Sequence, residues 1–206
     1  MDDPTRGAGV AVGRATATSA SRAGPAHRRT TGHLYEATHE NVQLAVHVGN
    51  EVVYVEWLSG RFAVGVHIRA GARWPPHATG VGLALLAHGD PGFQEEYRAG
   101  PPASFTPYTI TEPALLRRTP AEVRRSGVAV SDRRITSDAL SVAAPVRGPD
   151  GVVSAAVSVV VPQADARVPV LIPAVRLAAR GIFRALGRQP GPEIPLTGED
   201  RAPPPS

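Results

Sequence analysis

Two consecutive segments in which every second residue is apolar constrain the fold more than any other feature of the chain. Apolar residues alternate over 42–48 and again over 53–57, with Gly49-Asn50 between the two segments. Such alternation predicts strands that bury one face, and a Gly-Asn pair favours a tight turn between them. A third alternating segment over 62–68 follows Ser59-Gly60. The sequence therefore predicts a three-stranded antiparallel meander.

The remaining patterns predict helices and a second group of strands. Thr79 can cap a helix that ends near His88, and a second helix is expected over 112–126, interrupted near Pro120. A terminal helix is expected over 171–186. Three further strands are predicted over 128–130, 140–146 and 152–161. This element order predicts an α+β fold, in which helices pack on an antiparallel sheet of about six strands.

The two ends of the chain differ from the middle in composition. Residues 1–32 are rich in Gly, Ala, Ser, Thr and Arg without periodicity, and residues 189–206 are rich in Pro. Because such segments bury little apolar area, we expect both to be disordered, with the ordered domain over 33–188. That domain carries 16 Arg against 13 acidic residues, so its charge gives no support for a nucleic-acid surface.

Residue usage excludes several classes of site. The chain has no Cys, and all 22 of its basic residues are Arg. Thiol nucleophiles, Cys-ligated zinc and Schiff-base lysines are therefore excluded. The seven His show no i, i+4 pair, and no apolar run approaches the roughly 18 residues of a membrane span. We expect no metal, no cofactor and no membrane partner.

The strongest candidate for a ligand site is the segment over 75–82, which reads PPHATGVG. Gly80 and Gly82 would place bare backbone N–H groups in the first turn of a helix. Those unpaired donors and the helix dipole favour a carboxylate or a phosphate. A tight junction between loop and helix, with glycine present for close packing, explains the same residues. The residues alone leave both interpretations open.

Five segments in order resemble the C-terminal effector-binding domain of the IclR-type regulators, a relative of the GAF sensor fold. They are LYEATHENVQLAVHVGNEVVYVEWLSG, PPHATGVGLALLA, FTPYTITEPALL, VRRSGVAVSD and AAPVRGPDGVVSAAVSV. The resemblance covers about residues 34–186 and implies a cytoplasmic bacterial small-molecule sensor that forms a dimer or tetramer. Family members read DNA through a winged helix-turn-helix. We find none in these 206 residues, so we expect DNA contact only through such an element outside this chain.

The resemblance also implies an effector site at the helix start and on the neighbouring strands. Its expected residues are His77, Ala78, Thr79, Gly80, Val81, Gly82, Ser131, Asp132, Leu140, Ser141, Ser158 and Val160.

The sequence departs from the family pattern within this site. Ser141 stands where the family usually has Cys, and Val160 replaces a second Ser. Two arginines, at 133 and 134, stand where acids are common. Because Val160 removes a hydroxyl, we expect a larger, partly apolar or aromatic carboxylate, with Trp74 and Phe62 as candidates for an apolar wall.

Two other functions compete with ligand sensing. The first is a small enzyme on a GAF-like scaffold, with Ser141, His77 and Asp132 as a triad; because no nucleophile elbow surrounds Ser141, we expect no enzyme. The second is an interaction module whose pocket no longer binds anything. A row of arginines at i+4 spacing on the terminal helix is typical of a solvated face. The row consists of Arg176, Arg180, Arg184 and Arg188.

Overall fold

A computed structural model describes residues 24–60 and 69–187, with side chains from His27 onward. The predicted strand over 62–68, residues 1–23 of the predicted arm and the predicted tail lie outside the described residues. Phe62 and Arg188 lie outside them as well.

Six strands form one sheet in the described part of the chain: β1 (Asn41–Val48), β2 (Glu51–Leu58), β3 (Arg73–Trp74), β4 (Ala129–Asp132), β5 (Ala139–Arg147) and β6 (Val153–Pro162). Their order in the sheet is β3-β2-β1-β6-β5-β4, and every neighbouring pair is antiparallel. The predicted six-stranded antiparallel sheet is confirmed. Its edge beside β2 is the short strand β3, which the sequence patterns did not predict.

Five α-helices among the described residues cover both faces of this sheet. They are α1 (Gly24–Thr38), α2 (Gly80–His88), α3 (Pro91–Ala99), α4 (Pro113–Ser126) and α5 (Val168–Gly187). One apolar core lies between the sheet and the pair α1 and α5. A second core lies between the other face and α2, α3 and α4. The domain is therefore a three-layer α+β fold.

Small side chains on the sheet let α2 approach it closely. Ala45, Ala143 and Ala156 are fully buried on the face that α2 covers. Because α1 and α5 cover the opposite face, β1 is buried on both sides, and the prediction of a half-buried strand is wrong for its first six residues. Gln43, which the alternation placed on the solvent face, is only 4% exposed.

Helix α1 begins inside the segment that we expected to be a disordered arm. From Gly24 the chain is helical, so the predicted boundary at residue 32 is wrong for residues 24–32. Leu34 enters the core, and the Thr31 hydroxyl donates to the Glu56 carboxylate at 2.9 Å. This helix forms because it packs on α5 and the sheet, a tertiary effect that local composition does not show.

Two helices in the middle of the chain also differ from expectation. Helix α3 lies between the first two predicted helices, where the sequence analysis predicted no helix, and Asp90 caps it by accepting from the Phe93 N–H at 2.9 Å. Helix α4 continues through Pro120 without interruption. A proline leaves a carbonyl of the preceding turn without its usual donor. The Thr119 hydroxyl adds a hydrogen bond to the Leu115 carbonyl at 2.9 Å in the same turn.

Candidate functional site

A cavity with both polar and apolar lining residues lies between the start of α2, the sheet and the connection from β4 to β5. Its volume is about 40 Å³. A water molecule needs roughly 10–15 Å³ of such space, so the cavity holds about three water-sized groups. The lining residues are Gln43, Tyr54, Ala78, Thr79, Gly80, Ser131, Arg134, Ile135, Thr136, Ala139, Ser141 and Val160.

The start of α2 borders this cavity through Thr79 and Gly80 and carries unpaired backbone N–H groups. Thr79 is the N-cap residue, and its hydroxyl accepts a hydrogen bond from the Gly82 N–H at 3.0 Å. The Thr79 carbonyl accepts from the Leu83 N–H at 2.9 Å. The N–H groups of Gly80 and Val81 bond to no atom of the described residues. They are therefore free donors at the positive end of the helix dipole.

The two glycines of this helix start have different reasons to be glycine. A Cβ atom at Gly80 would lie 2.5 Å from the Ser141 Oγ, inside the cavity. A Cβ atom at Gly82 would instead collide with the backbone of Pro76. Each of the two interpretations of these glycines therefore applies to one of them. Gly80 borders the cavity, as expected of a ligand site, and Gly82 allows the tight junction between loop and helix.

The sheet supplies a row of side chains beneath α2. In the strand register, Ser141 pairs with Ser131 on one side and with Val160 on the other. The Ser131 hydroxyl donates to the Ala78 carbonyl at 2.8 Å, which fixes the segment before α2 onto β4.

Gln43 contributes an amide to the cavity from β1. Ser158 pairs with Gln43 across β6 and β1, and its hydroxyl donates to Gln43 Oε1 at 3.1 Å. Ser158 is fully buried and does not line the cavity itself. Its bond leaves the Gln43 Nε2 donors available to a ligand. Ser158 is thus a positioning residue for Gln43.

Arg134 is the single cation among the cavity-lining residues. Burial lowers the pKa of its guanidinium, although the charges of Asp132 and Glu122 oppose that effect. Tyr54 closes another wall, and burial raises the pKa of its phenol despite a hydrogen bond with Thr79. The cavity lining therefore combines apolar residues with hydroxyl, amide and guanidinium groups, and it contains one positive charge and no carboxylate.

The structure brings together half of the predicted site residues. Ala78, Thr79, Gly80, Ser131, Ser141 and Val160 line the cavity. Leu140 belongs to the opposite core, where it contributes to the layer under α1 and α5. Val81 packs in the core under α2. Asp132 pairs with the neighbouring Arg133 at 3.0 Å, away from the cavity.

The sequence analysis did not select six of the lining residues as ligand contacts. They are Gln43, Tyr54, Arg134, Ile135, Thr136 and Ala139. Of the two candidates for an apolar wall, Phe62 lies outside the described residues. Trp74 packs on Phe105 with ring centroids 5.5 Å apart and does not line the cavity.

His77 is a buried structural histidine. Its Nε2 lies 2.8 Å from the Ala103 carbonyl, which can only accept, so Nε2 carries the proton. Nδ1 then accepts from the Tyr97 hydroxyl at 2.6 Å. Burial lowers the pKa of His77 below its ordinary value, which keeps the ring neutral. With both nitrogens engaged and Asp132 on the other side of the strand, the imagined triad with Ser141 does not assemble.

The described residues contain neither a cluster of metal-binding side chains nor a membrane-spanning helix. Within 24–60 and 69–187, no three His, Asp or Glu side chains come close enough to hold a metal ion. No helix in these ranges is both long and apolar enough to cross a bilayer.

A partly polar cavity at a helix start, set over an antiparallel sheet, is typical of a sensor domain. The family described as bacterial transcriptional regulator IclR C-terminal matches residues 23–184. The chain belongs to the IclR family and carries the effector-binding domain of its regulators. The family and the relatives below are transcriptional regulators rather than enzymes, in agreement with the sequence-based prediction.

Similar proteins include the HTH-type transcriptional regulator BhcR of Paracoccus denitrificans, 32% identical over 163 residues. The match covers 77% of this chain and 57% of BhcR, so the chain spans little more than half the length of that relative. An IclR homolog from Microbacterium hydrocarbonoxydans, solved in complex with 4-hydroxybenzoate, is 35% identical with a TM-score of 0.78. That likeness covers 82% of this chain and 70% of the homolog. An IclR homolog from Microbacterium sp. strain HM58-2 is 34% identical with a TM-score of 0.75, covering 84% and 70% of the two chains.

Proposed function

We propose that this domain is the cytoplasmic sensor of a transcriptional regulator and that its effector is a carboxylate bound in the α2 cavity. The observation that carries the proposal is the pair of free N–H groups at Gly80 and Val81, at a helix start where Gly80 lines a cavity without an acidic side chain. An anion there gains hydrogen bonds and a favourable interaction with the helix dipole. Ser141 and Gln43 supply further polar contacts on the sheet side.

The lining and a relative support two classes of acid. A cavity of about 40 Å³ fits the carboxylate end of a small oxo- or hydroxy-acid. Val160 in place of a hydroxyl favours an acid that also carries an apolar group. The Microbacterium hydrocarbonoxydans homolog was solved with 4-hydroxybenzoate, an aromatic acid. Small aliphatic acids and benzoates are therefore the two classes to compare.

A thermal-shift and calorimetric screen tests the carboxylate proposal. The probes are pyruvate, glyoxylate, propionate, benzoate and 4-hydroxybenzoate, each compared with its neutral amide or alcohol at matched ionic strength. An acid present at 100 times its dissociation constant should stabilise the protein by about 2.7 kcal/mol. We expect at least one acid, and not its neutral analogue, to raise the melting temperature.

Two variants test whether an acid binds in the α2 cavity, and a screen without any binding acid would refute the proposal. Gly80→Ala should remove the response, while exposed Arg118→Met, whose side chain is 72% exposed, should retain it. A response that persists in Gly80→Ala would place the site elsewhere. If none of these acids binds, the alternative of an interaction module whose pocket no longer binds a ligand explains the domain better.

We further propose that the chain forms a homodimer or homotetramer, as family membership implies. On α5, Val170 is 66% exposed and Leu177 is 62% exposed, seven residues apart on one face of the helix. Leu177 also borders an apolar groove of about 270 Å³ between α1 and α5. Exposed apolar surface of this kind marks protein interfaces.

Light scattering coupled to size-exclusion chromatography tests this assembly. We expect a mass of two or four times the 21.5 kDa chain. Leu177→Glu should lower that mass without lowering the helical content. A monomer at micromolar concentration would contradict the proposal.

A further inference from the structure

The α2 cavity contains a positive charge, that of Arg134, which has no ion-pair partner among the described residues. Arg134 Nη1 is buried and has no hydrogen-bond partner among the described residues. The adjacent acid, Asp132, is engaged by the Arg133 side chain at 3.0 and 3.3 Å. The described residues contain no ion pair that includes Arg134. A buried guanidinium nitrogen without a hydrogen-bond partner is costly, so its position requires a reason.

The backbone around Arg134 is held so that the two adjacent arginines diverge. Arg133 has a positive φ of 55°, a left-handed conformation that is unfavourable for non-glycine residues. The hydroxyl of Thr106 donates to the Arg133 carbonyl at 2.6 Å, and that of Thr109 donates to the Arg134 carbonyl at 2.7 Å. The Arg133 guanidinium stacks on Tyr108, 3.9 Å from the ring centroid. Arg133 is thus fixed outside the cavity, and Arg134 lines it.

A second unpaired polar atom lies on the same wall. Thr136 Oγ1 is buried without a hydrogen-bond partner in the described part of the chain, and Thr136 lines the cavity with Arg134. Two of the five buried unpartnered side-chain atoms of the described residues therefore belong to one short connection between β4 and β5. This connection and the start of α2 are separate elements. The cavity consequently has two groups of donors rather than one.

We propose that the effector carries two anionic groups, one received by the Gly80 and Val81 N–H groups and the other by Arg134 with Thr136. This inference rests on the proposed carboxylate site and adds the charge of the ligand. A guanidinium binds a carboxylate through charge-assisted hydrogen bonds. A neutral ligand or a monocarboxylate cannot place an anionic group at both the helix start and Arg134. Because the cavity is only about 40 Å³, the two groups must be close. The chemistry is that of a short dicarboxylate, with one or two carbons between the carboxylates.

Calorimetry of the full chain with matched acids tests this proposal. Malonate is compared with propionate, and succinate with butyrate, at constant ionic strength and pH 7.5. We expect at least one dicarboxylate to bind tenfold or more tightly than its monocarboxylate. In Arg134→Met that preference should disappear, because the dicarboxylate loses its second partner while the monocarboxylate changes less than threefold.

Two further variants separate charge from packing. Arg134→Lys keeps the charge without the planar donor fork and should retain part of the preference. Arg118→Met removes an exposed arginine and should leave both affinities unchanged. If Arg134→Met fails to fold, the preference of the unmodified chain and of Arg134→Lys still decides the question.

The outcomes distinguish this inference from the proposed function. If monocarboxylates bind and dicarboxylates bind no better, the second anionic group is refuted and the carboxylate site stands. If a dicarboxylate preference survives in Arg134→Met, Arg134 is not its source and the inference is overturned. If neither class binds, the proposed carboxylate site itself is refuted.

Discussion

Alanine substitutions at Gly80 and Gly82, two residues apart on α2, should have opposite effects on binding and stability. A Cβ atom at Gly80 would lie 2.5 Å from the Ser141 Oγ and 3.4 Å from the Ala143 Cβ. The hydroxyl can rotate away, so the cost in stability is small, and a helical alanine recovers about 0.5–1 kcal/mol relative to glycine. We expect Gly80→Ala to change the unfolding free energy by less than about 1 kcal/mol. The added methyl group nevertheless occupies the cavity.

At Gly82 the same methyl group has no such freedom. Its Cβ atom would lie 2.5 Å from the Pro76 Cα and collide with the Pro76 carbonyl, and backbone atoms cannot rotate away. Overpacking of this kind costs about 1–3 kcal/mol. For a folded domain of this size, each kcal/mol lowers the melting temperature by about 2–4 °C. Gly82→Ala should therefore melt roughly 2–12 °C lower than the unmodified chain.

Thermal melts with and without a bound acid measure both effects. Gly80→Ala should keep its melting temperature and lose the ligand-induced shift. Gly82→Ala should lose stability, yet the molecules that remain folded should still respond to the acid. If Gly80→Ala binds with unchanged affinity, the cavity beside Ser141 is not the effector site. If Gly82→Ala is as stable as the unmodified chain, the contact with Pro76 is looser than the structure shows.

Two further predictions concern buried polar groups. Ser131→Ala removes the bond to the Ala78 carbonyl and should lower the free energy of unfolding by about 1–3 kcal/mol in urea, because that carbonyl is left unpaired; a loss below a few tenths would contradict the role of this bond. Acidification should also destabilise the domain. Burial lowers the pKa of three histidines below 6.5, so the unfolded chain takes up more protons as the pH falls through that value. The melting temperature should be lower at pH 5.5 than at pH 8, and an equal or higher value would refute this sign. The histidines are His47, His77 and His88.

The sequence analysis predicted those helices and strands that neighbouring residues specify. The strands β1 and β2, predicted from alternation, and the cap at Thr79 each depend on a few neighbouring residues, and the structure confirms these elements. Helix α1 has few apolar residues of its own and is stabilised by packing on α5, so its composition resembled that of a disordered segment. The start of α3 did carry a signal, because Asp90 followed by proline is typical of a helix N-terminus.

The site was predictable on the α2 side and only partly on the sheet side. The five-residue turn between β5 and β6 leaves their register open, and the register decides that Ser141 faces Val160 rather than Ser158. Gln43 was assigned to solvent because a polar residue in an alternating strand usually lies there, whereas a second helical layer buries it. The position of Arg134 in the cavity wall depends on a positive φ at Arg133 and on hydroxyl groups of residues 106 and 109, which are remote in sequence.

A crystal structure of the chain with the tightest-binding acid of these screens tests the central claim most directly. The account predicts a carboxylate within about 3.2 Å of the Gly80 and Val81 nitrogens, a distance typical of N–H···O hydrogen bonds. If the acid is a dicarboxylate, its second carboxylate should contact the Arg134 guanidinium. An acid bound in the groove between α1 and α5, or anywhere that leaves those two nitrogens without a ligand oxygen, would contradict it.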